Sequence, residues 1–79
     1  MYILYIEQGC PFGERVMAFM KKNNISAELR DRDTKNYEQE LIARGGKRQT
    51  PYLVDEETGV EMYESADIIA YLKKKLDIA

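Results

Sequence analysis

Residues Tyr2 to Ile6 are apolar without interruption, and that run constrains the fold more than any other feature of the chain. A run of apolar β-formers reads as a strand covered on both faces, so layers must lie above and below it. With 79 residues there is room for one core, and residues 1–79 are expected to form a single domain. One cysteine cannot close an internal disulfide and histidine is absent. Hydrophobic packing must then hold the domain together.

The segments that follow supply those layers. After Gly9-Cys10-Pro11, apolar side chains recur at Phe12, Val16, Phe19 and Met20, the stripe of an amphipathic helix with a proline suited to its first turn. Asn23-Asn24 should end it. Ile25, Ala27 and Leu29 alternate with Ser26, Glu28 and Arg30, the period of a half-exposed strand that completes a parallel crossover. Thr34 or Asn36 can cap a short second helix with Tyr37 and Leu41 inward and Gly45-Gly46 at its end. Pro51 to Val54 and Val60 to Tyr63 flank the polar loop Asp55-Glu56-Glu57-Thr58-Gly59 and read as a hairpin. Ser65 then caps a last helix, with Ile68, Ile69, Leu72 and Leu76 buried and Lys73-Lys74-Lys75 a solvated C-terminal turn. The result is an α/β chain in the order βαβαββα, one mixed sheet with helices on its faces.

Charge and composition narrow the function classes. Apolar residues make up 44% and charged residues 33%, with a net charge of −2, which suits a water-soluble fold and lacks the basic footprint of a nucleic-acid binder. The first apolar run is far short of a membrane span and carries no basic leader or cleavage site. A cytoplasmic, monomeric protein with no nucleic-acid or membrane partner is expected, and a lone cysteine accords with a reducing compartment.

Cys10 sits where a buried strand hands over to a helix. There the sulfur faces the unpaired N–H groups and positive dipole end of the helix, which stabilises the thiolate, the nucleophilic form, without a histidine base. The alternative is a small buried hydrophobe, but the Gly-Cys-Pro context places Cys10 at a turn instead of on an apolar stripe. Gly13 stands where a Cys-x-x-Cys pair would have its second thiol, so a mixed disulfide on Cys10 must be resolved by an external thiol.

Three segments carry a family resemblance over essentially the whole length. Cys10-Pro11-Phe12-Gly13-Glu14-Arg15 is similar to the Cys-Pro-Phe-x-x-Arg start of omega-class transferases and close to the Cys-Pro-Tyr-Cys of glutaredoxins. Gln49-Thr50-Pro51-Tyr52-Leu53 resembles the x-Val-Pro-x-Leu loop with its cis proline, Thr50 replacing valine. Tyr63-Glu64-Ser65-Ala66-Asp67 looks like the Glu-Ser segment of the transferases. The chain thus resembles glutaredoxins and the thioredoxin-like N-terminal domains of glutathione transferases.

That resemblance implies a thioredoxin-like, glutaredoxin-type fold, a four-stranded mixed sheet flanked by three helices. It implies Cys10 as the catalytic thiol, with glutathione as co-substrate and no metal. Pro11, Phe12, Arg48, Thr50, Pro51, Glu64 and Ser65 are the expected glutathione contacts: Thr50 through its backbone, Glu64 and Ser65 at the γ-glutamyl end, and Arg48, or Lys35, at the glycyl carboxylate. Ser65 could equally serve as a plain helix cap, and Pro51 as an ordinary strand-start proline. The family usually places a lysine where this chain has Glu7, so Glu7 is expected to oppose glutathione by its charge.

The activity implied is reduction of glutathionylated or other disulfide substrates by a single-thiol route. Two other readings are a glutathione-assisted iron–sulfur carrier, with one Cys10 thiolate from each of two chains, and a non-catalytic glutathione-binding module. Pro11 and Gly13 depart from the Cys-Gly-Phe-Ser motif usual in such carriers.

Overall fold

The computed structural model describes residues 1–78. Its elements are β1 (Tyr2–Ile6), α1 (Pro11–Lys22), β2 (Ala27–Asp31), α2 (Tyr37–Gly45), β3 (Tyr52–Asp55), β4 (Val60–Tyr63) and α3 (Ser65–Leu76). The sheet order is β2-β1-β3-β4. β1 pairs with β2 in parallel, while β3 runs antiparallel to both β1 and β4. The order and topology are those of the thioredoxin-like fold expected from the sequence.

The uninterrupted apolar character of β1 follows from its central place. Leu4 and Ile6 face a core built with Val16 and Met20 of α1 and Ile68 and Leu72 of α3. Ile3 and Tyr5 face the opposite layer, where Leu41 of α2 closes over Tyr52 and Val54. Alternate residues of one strand thereby serve two cores, and neither face needs a polar residue. α1 ends at Lys22 with Asn23 as its C-cap. Asn36 takes the N-cap position of α2 without a side-chain bond, and Gly46 closes that helix at φ 89, its N–H reaching the Ile42 carbonyl, a left-handed position that favours glycine.

Several expectations are corrected. Phe12 is 56% exposed and Leu29 51% exposed, because Phe12 lies in the first turn of α1 and Leu29 on an edge strand. Leu76, in the last turn of α3, is exposed as well. Ser65 is not a cap: Glu64 holds the N-cap position of α3, its carbonyl accepting from the Ile68 N–H at 2.9 Å, and no side chain caps that end. Pro51 precedes β3 instead of beginning it.

The polar loop and the lysine cluster also hold a surprise. Asp55 is fully buried at the end of β3. Its carboxylate accepts from Lys75 Nζ at 2.6 Å, from the Tyr71 hydroxyl, and from the Glu57 N–H at 3.0 Å. Burial pushes the Asp55 carboxyl up, but the hydrogen bonds from Lys75, Tyr71 and the Glu57 backbone outweigh it, and the group lies well below the usual carboxylate range. Lys75, correspondingly, is raised above an ordinary lysine, chiefly by Asp55. It is a counterion to the core, whereas Lys73 and Lys74 are exposed as expected.

Candidate functional site

Four chain segments converge at one end of the sheet, all at element boundaries. The first is the turn from β1 to α1. Gly9 takes φ 85, the Cys10 N–H bonds the Glu7 carbonyl at 3.1 Å, and the Cys10 carbonyl accepts the first intrahelical bond from Glu14 at 3.0 Å. Cys10 is therefore the N-cap of α1, extended at φ −78 and ψ 122, with Pro11 as the first helical residue. Its thiol is free and half-buried. This is the position at which helix N–H groups and dipole stabilise an anion.

The second segment is the loop into β3, where the Thr50–Pro51 peptide bond is cis. The third is the junction of β4 and α3. Glu64 takes φ 73 and ψ 116, a conformation costly for a residue with a side chain and one that clusters at ligand clamps. The Gln49 amide bonds the Glu64 carboxylate at 2.9 Å, linking the second segment to the third.

These segments enclose a cleft of about 530 Å3 lined by Phe12 and Arg15 of α1, Gln49, Thr50 and Pro51 of the loop, and Glu64, Ser65 and Ala66 at the start of α3. With no side chain capping α3, its first N–H groups have no intrahelical partner and remain free for an anionic group. Five of the residues singled out from the sequence, Phe12, Thr50, Pro51, Glu64 and Ser65, line this one cleft, whereas Cys10 and Pro11 directly precede Phe12 at the start of α1 and are not themselves among its lining residues.

Arg48 is placed differently. Its guanidinium bonds Glu38 at 2.7 Å and is not among the lining side chains. Lys35 lies over the Tyr37 ring, 5.7 Å from its centroid. Arg15, Gln49 and Ala66 line the cleft without having been assigned to it. All three were within the motifs; the charge of Arg15 and the amide of Gln49 could have marked them as site residues, whereas Ala66 has no polar group to do so. Among the described residues Arg15 makes no ion pair.

Glu7 does not stand as a bare charge. Its carboxylate pairs with Arg32 at 2.9 Å. Arg32 comes from the fourth segment, the turn after β2, where its backbone N–H bonds the Ile6 carbonyl at 2.7 Å. Among the described residues no cluster of His, Cys, Asp and Glu is arranged to hold a metal, and no helix is long and apolar enough to cross a membrane.

The family model described as the glutathione S-transferase N-terminal domain matches residues 4–77. The chain belongs to that family. No curated protein sequence matches it. Among solved structures, human glutathione transferase theta-2 in complex with glutathione is similar at a TM-score of 0.84 and 27% identity, over 100% of this chain and 33% of that one. Glutaredoxin 2 of Salmonella typhimurium in complex with glutathione gives 0.78 and 26%, over 98% of this chain and 34% of that one. The glutathione transferase URE2P6 of Phanerochaete chrysosporium, in complex with oxidized glutathione, gives 0.82 and 26%, over 96% of this chain and 36% of that one. This glutathione S-transferase N-terminal domain thus spans about a third of the length of those structures. Both glutathione transferases and a glutaredoxin share its fold.

Proposed function

We propose that this chain binds glutathione and acts as a thiol-disulfide oxidoreductase of the glutaredoxin type, reducing glutathionylated substrates through Cys10. The observation that carries the reading is Cys10 itself, a free thiol at the N-cap of α1, whose first turn lines the cleft shared with Thr50, Pro51, Glu64 and Ser65. The similarity to a glutaredoxin and to transferases solved with glutathione supports it.

The chemistry runs in two exchanges. The Cys10 thiolate attacks the glutathione sulfur of a mixed disulfide; a new sulfur–sulfur bond forms, the old one breaks, and the substrate leaves as a thiolate that takes up a proton. A second glutathione thiolate then attacks the Cys10–glutathione bond, which releases oxidised glutathione and regenerates the Cys10 thiolate. With Gly13 in place of a second cysteine, the chain supplies no resolving thiol of its own. Glutathione fits the cleft through the Thr50 backbone, the Glu64 carboxylate for its ammonium, and Ser65 with the α3 N-terminus for its γ-glutamyl carboxylate. Pro11 fixes the first turn of α1, and Phe12 offers an apolar wall. Arg48 would have to leave Glu38 to contribute, so Arg15 is the better-placed cation. Residues 1–79 act as one monomeric domain, in the cytoplasm, with glutathione as co-substrate.

The test is a coupled assay of mixed-disulfide reduction with wild type and Cys10→Ser. Activity that disappears in the variant while the fold is retained supports the reading. Equal activity in both removes it. A second reading, conjugation of glutathione to an electrophile, is favoured by the transferase family model. A chain that conjugates but does not reduce mixed disulfides would establish it instead.

A further inference from the structure

Arg32 joins two of the segments that form the cleft. One arm of its guanidinium, Nη2, pairs with the Glu7 carboxylate at 2.9 Å. The other, Nη1, donates to the Arg48 carbonyl at 3.1 Å. Glu7 in turn accepts from the Cys10 N–H through its own carbonyl at 3.1 Å, and Arg48 is two residues before Thr50. The guanidinium is held in place from behind, because the Arg32 N–H extends the ladder onto the Ile6 carbonyl and the side chain is only 12% exposed. Its buried Nε has no hydrogen-bond partner and only the exposed Asp33 carboxylate 3.7 Å away, so the two arms make all the hydrogen-bond-length contacts of the group.

We propose that Arg32 is a positioning residue that ties the Cys10 turn to the Thr50-Pro51 loop and so sets glutathione affinity. The proposal deepens the glutathione-dependent reading above and rests on it. Thr50 and Cys10 would engage the same cysteinyl unit of glutathione from two loops, neither of which belongs to a strand at that point. A planar fork presents fixed, well-separated donors to a carboxylate and a carbonyl from the two loops; a lysine ammonium is a compact charge on a flexible stem and fixes their separation poorly. The loop is held at Lys47 too, since the Tyr63 hydroxyl donates to the Lys47 carbonyl at 2.7 Å and accepts from the Lys47 N–H at 3.1 Å. Arg32 holds the next residue, Arg48, from the side of the Cys10 turn.

This arrangement reverses the meaning of Glu7. A bare carboxylate near a ligand with two carboxylates repels it, and Glu7→Lys should then improve glutathione use. A carboxylate already spent on Arg32 is an anchor, and Glu7→Lys sets two cations against each other and releases the guanidinium.

The experiment measures kcat and KM for a glutathione mixed disulfide, together with amide hydrogen exchange of residues 7–10 and 46–50, in wild type, Arg32→Ala, Arg32→Lys, Glu7→Gln and Glu7→Lys. Loss of a charge-assisted contact of this kind should raise KM in Arg32→Ala by roughly three- to tenfold, with kcat within about twofold, and speed exchange in both segments. Arg32→Lys should recover protection near Glu7 but not in 46–50. Glu7→Lys should raise KM, and Glu7→Gln added to Arg32→Ala should cost less than the sum of the two. An unchanged KM in Arg32→Ala, or a lower KM in Glu7→Lys, overturns the proposal while leaving the glutathione reading intact. If wild type turns over no mixed disulfide, the glutathione reading fails, and exchange in 46–50 still decides whether Arg32 ties the loops. Should Arg32→Ala not fold, the two Glu7 variants decide by the sign of their KM change.

Discussion

Replacing Lys75 by methionine isolates the cost of the buried carboxylate of Asp55, because methionine keeps most of the stem and deletes only the charge. In the folded state the Asp55 side chain is 1% exposed and the Lys75 side chain 20%. Removing one partner of a fully buried ion pair costs about 3–5 kcal/mol, since it leaves an uncompensated charge. Here the Tyr71 hydroxyl and the Glu57 N–H still donate to the carboxylate, and the Lys75 side chain is already 20% exposed, so the cost falls below that range, to about 2–3 kcal/mol. The bond to Glu57, itself 72% exposed, adds little. For a domain of this size each kcal/mol moves Tm by about 4–8 °C, so Lys75→Met should melt roughly 10–20 °C below wild type at neutral pH. The pH dependence has a definite sign. The folded carboxyl lies below its unfolded value, so its contribution is complete above about pH 4 and fades as pH falls below that. Lys75, raised in the fold, contributes fully below about pH 10.4 and loses its contribution above it. Thermal melts of wild type, Lys75→Met and Asp55→Asn from pH 2 to 8, a range set by the carboxylate titration, check this. Both variants should show a flatter acid limb than wild type. Equal Tm at neutral pH and parallel acid limbs would refute an ionised, paired Asp55.

Three further outcomes follow from single contacts. A Cβ on Gly45 would lie 2.3 Å from the Tyr63 hydroxyl and 2.6 Å from its ring carbons, so Gly45→Ala should lower stability by about 1–2 kcal/mol in denaturant titrations despite alanine's better helix propensity; a stabilised variant would contradict the packing described. Because Ser65 is the first residue of α3 and not its cap, Ser65→Ala should not show the roughly 0.5–2 kcal/mol loss of a capping residue yet should raise KM for the glutathione disulfide; a large drop in Tm with unchanged KM would make Ser65 purely structural. A Cβ on Gly13 meets only Ile6, at an ordinary 3.7 Å, so Gly13→Cys should fold, and on oxidation thiol titration should find no free cysteine; two free thiols in the folded, oxidised variant would count against the geometry of the Cys10 turn.

Much of the fold was legible because its periodicities are unambiguous. The two-sided burial of β1 could be read from Tyr2 to Ile6, and the motif residues Phe12, Thr50, Pro51, Glu64 and Ser65 do share one cleft. What escaped was set by position at edges and by long-range pairing. Leu29 alternates as a buried strand residue should, but β2 is an edge strand, where only one neighbour covers it. Phe12 continues the stripe of α1 into a turn that opens on the cleft. No local pattern announces that Asp55 will be buried against a lysine 20 residues later, or that Glu7 will meet Arg32 across the parallel crossover. Arg48 looked like the free cation of the site because the sequence does not show Glu38 beside it.

The central claim is a covalent one, that Cys10 carries glutathione during turnover. Mixing the protein with a glutathione mixed disulfide, quenching in acid and measuring intact mass tests it directly. The account predicts one glutathione adduct on Cys10 that forms within the time of turnover, disappears when reduced glutathione is added, and is absent in Cys10→Ser. Turnover with no adduct at Cys10, or an adduct that reduced glutathione cannot remove, would contradict it.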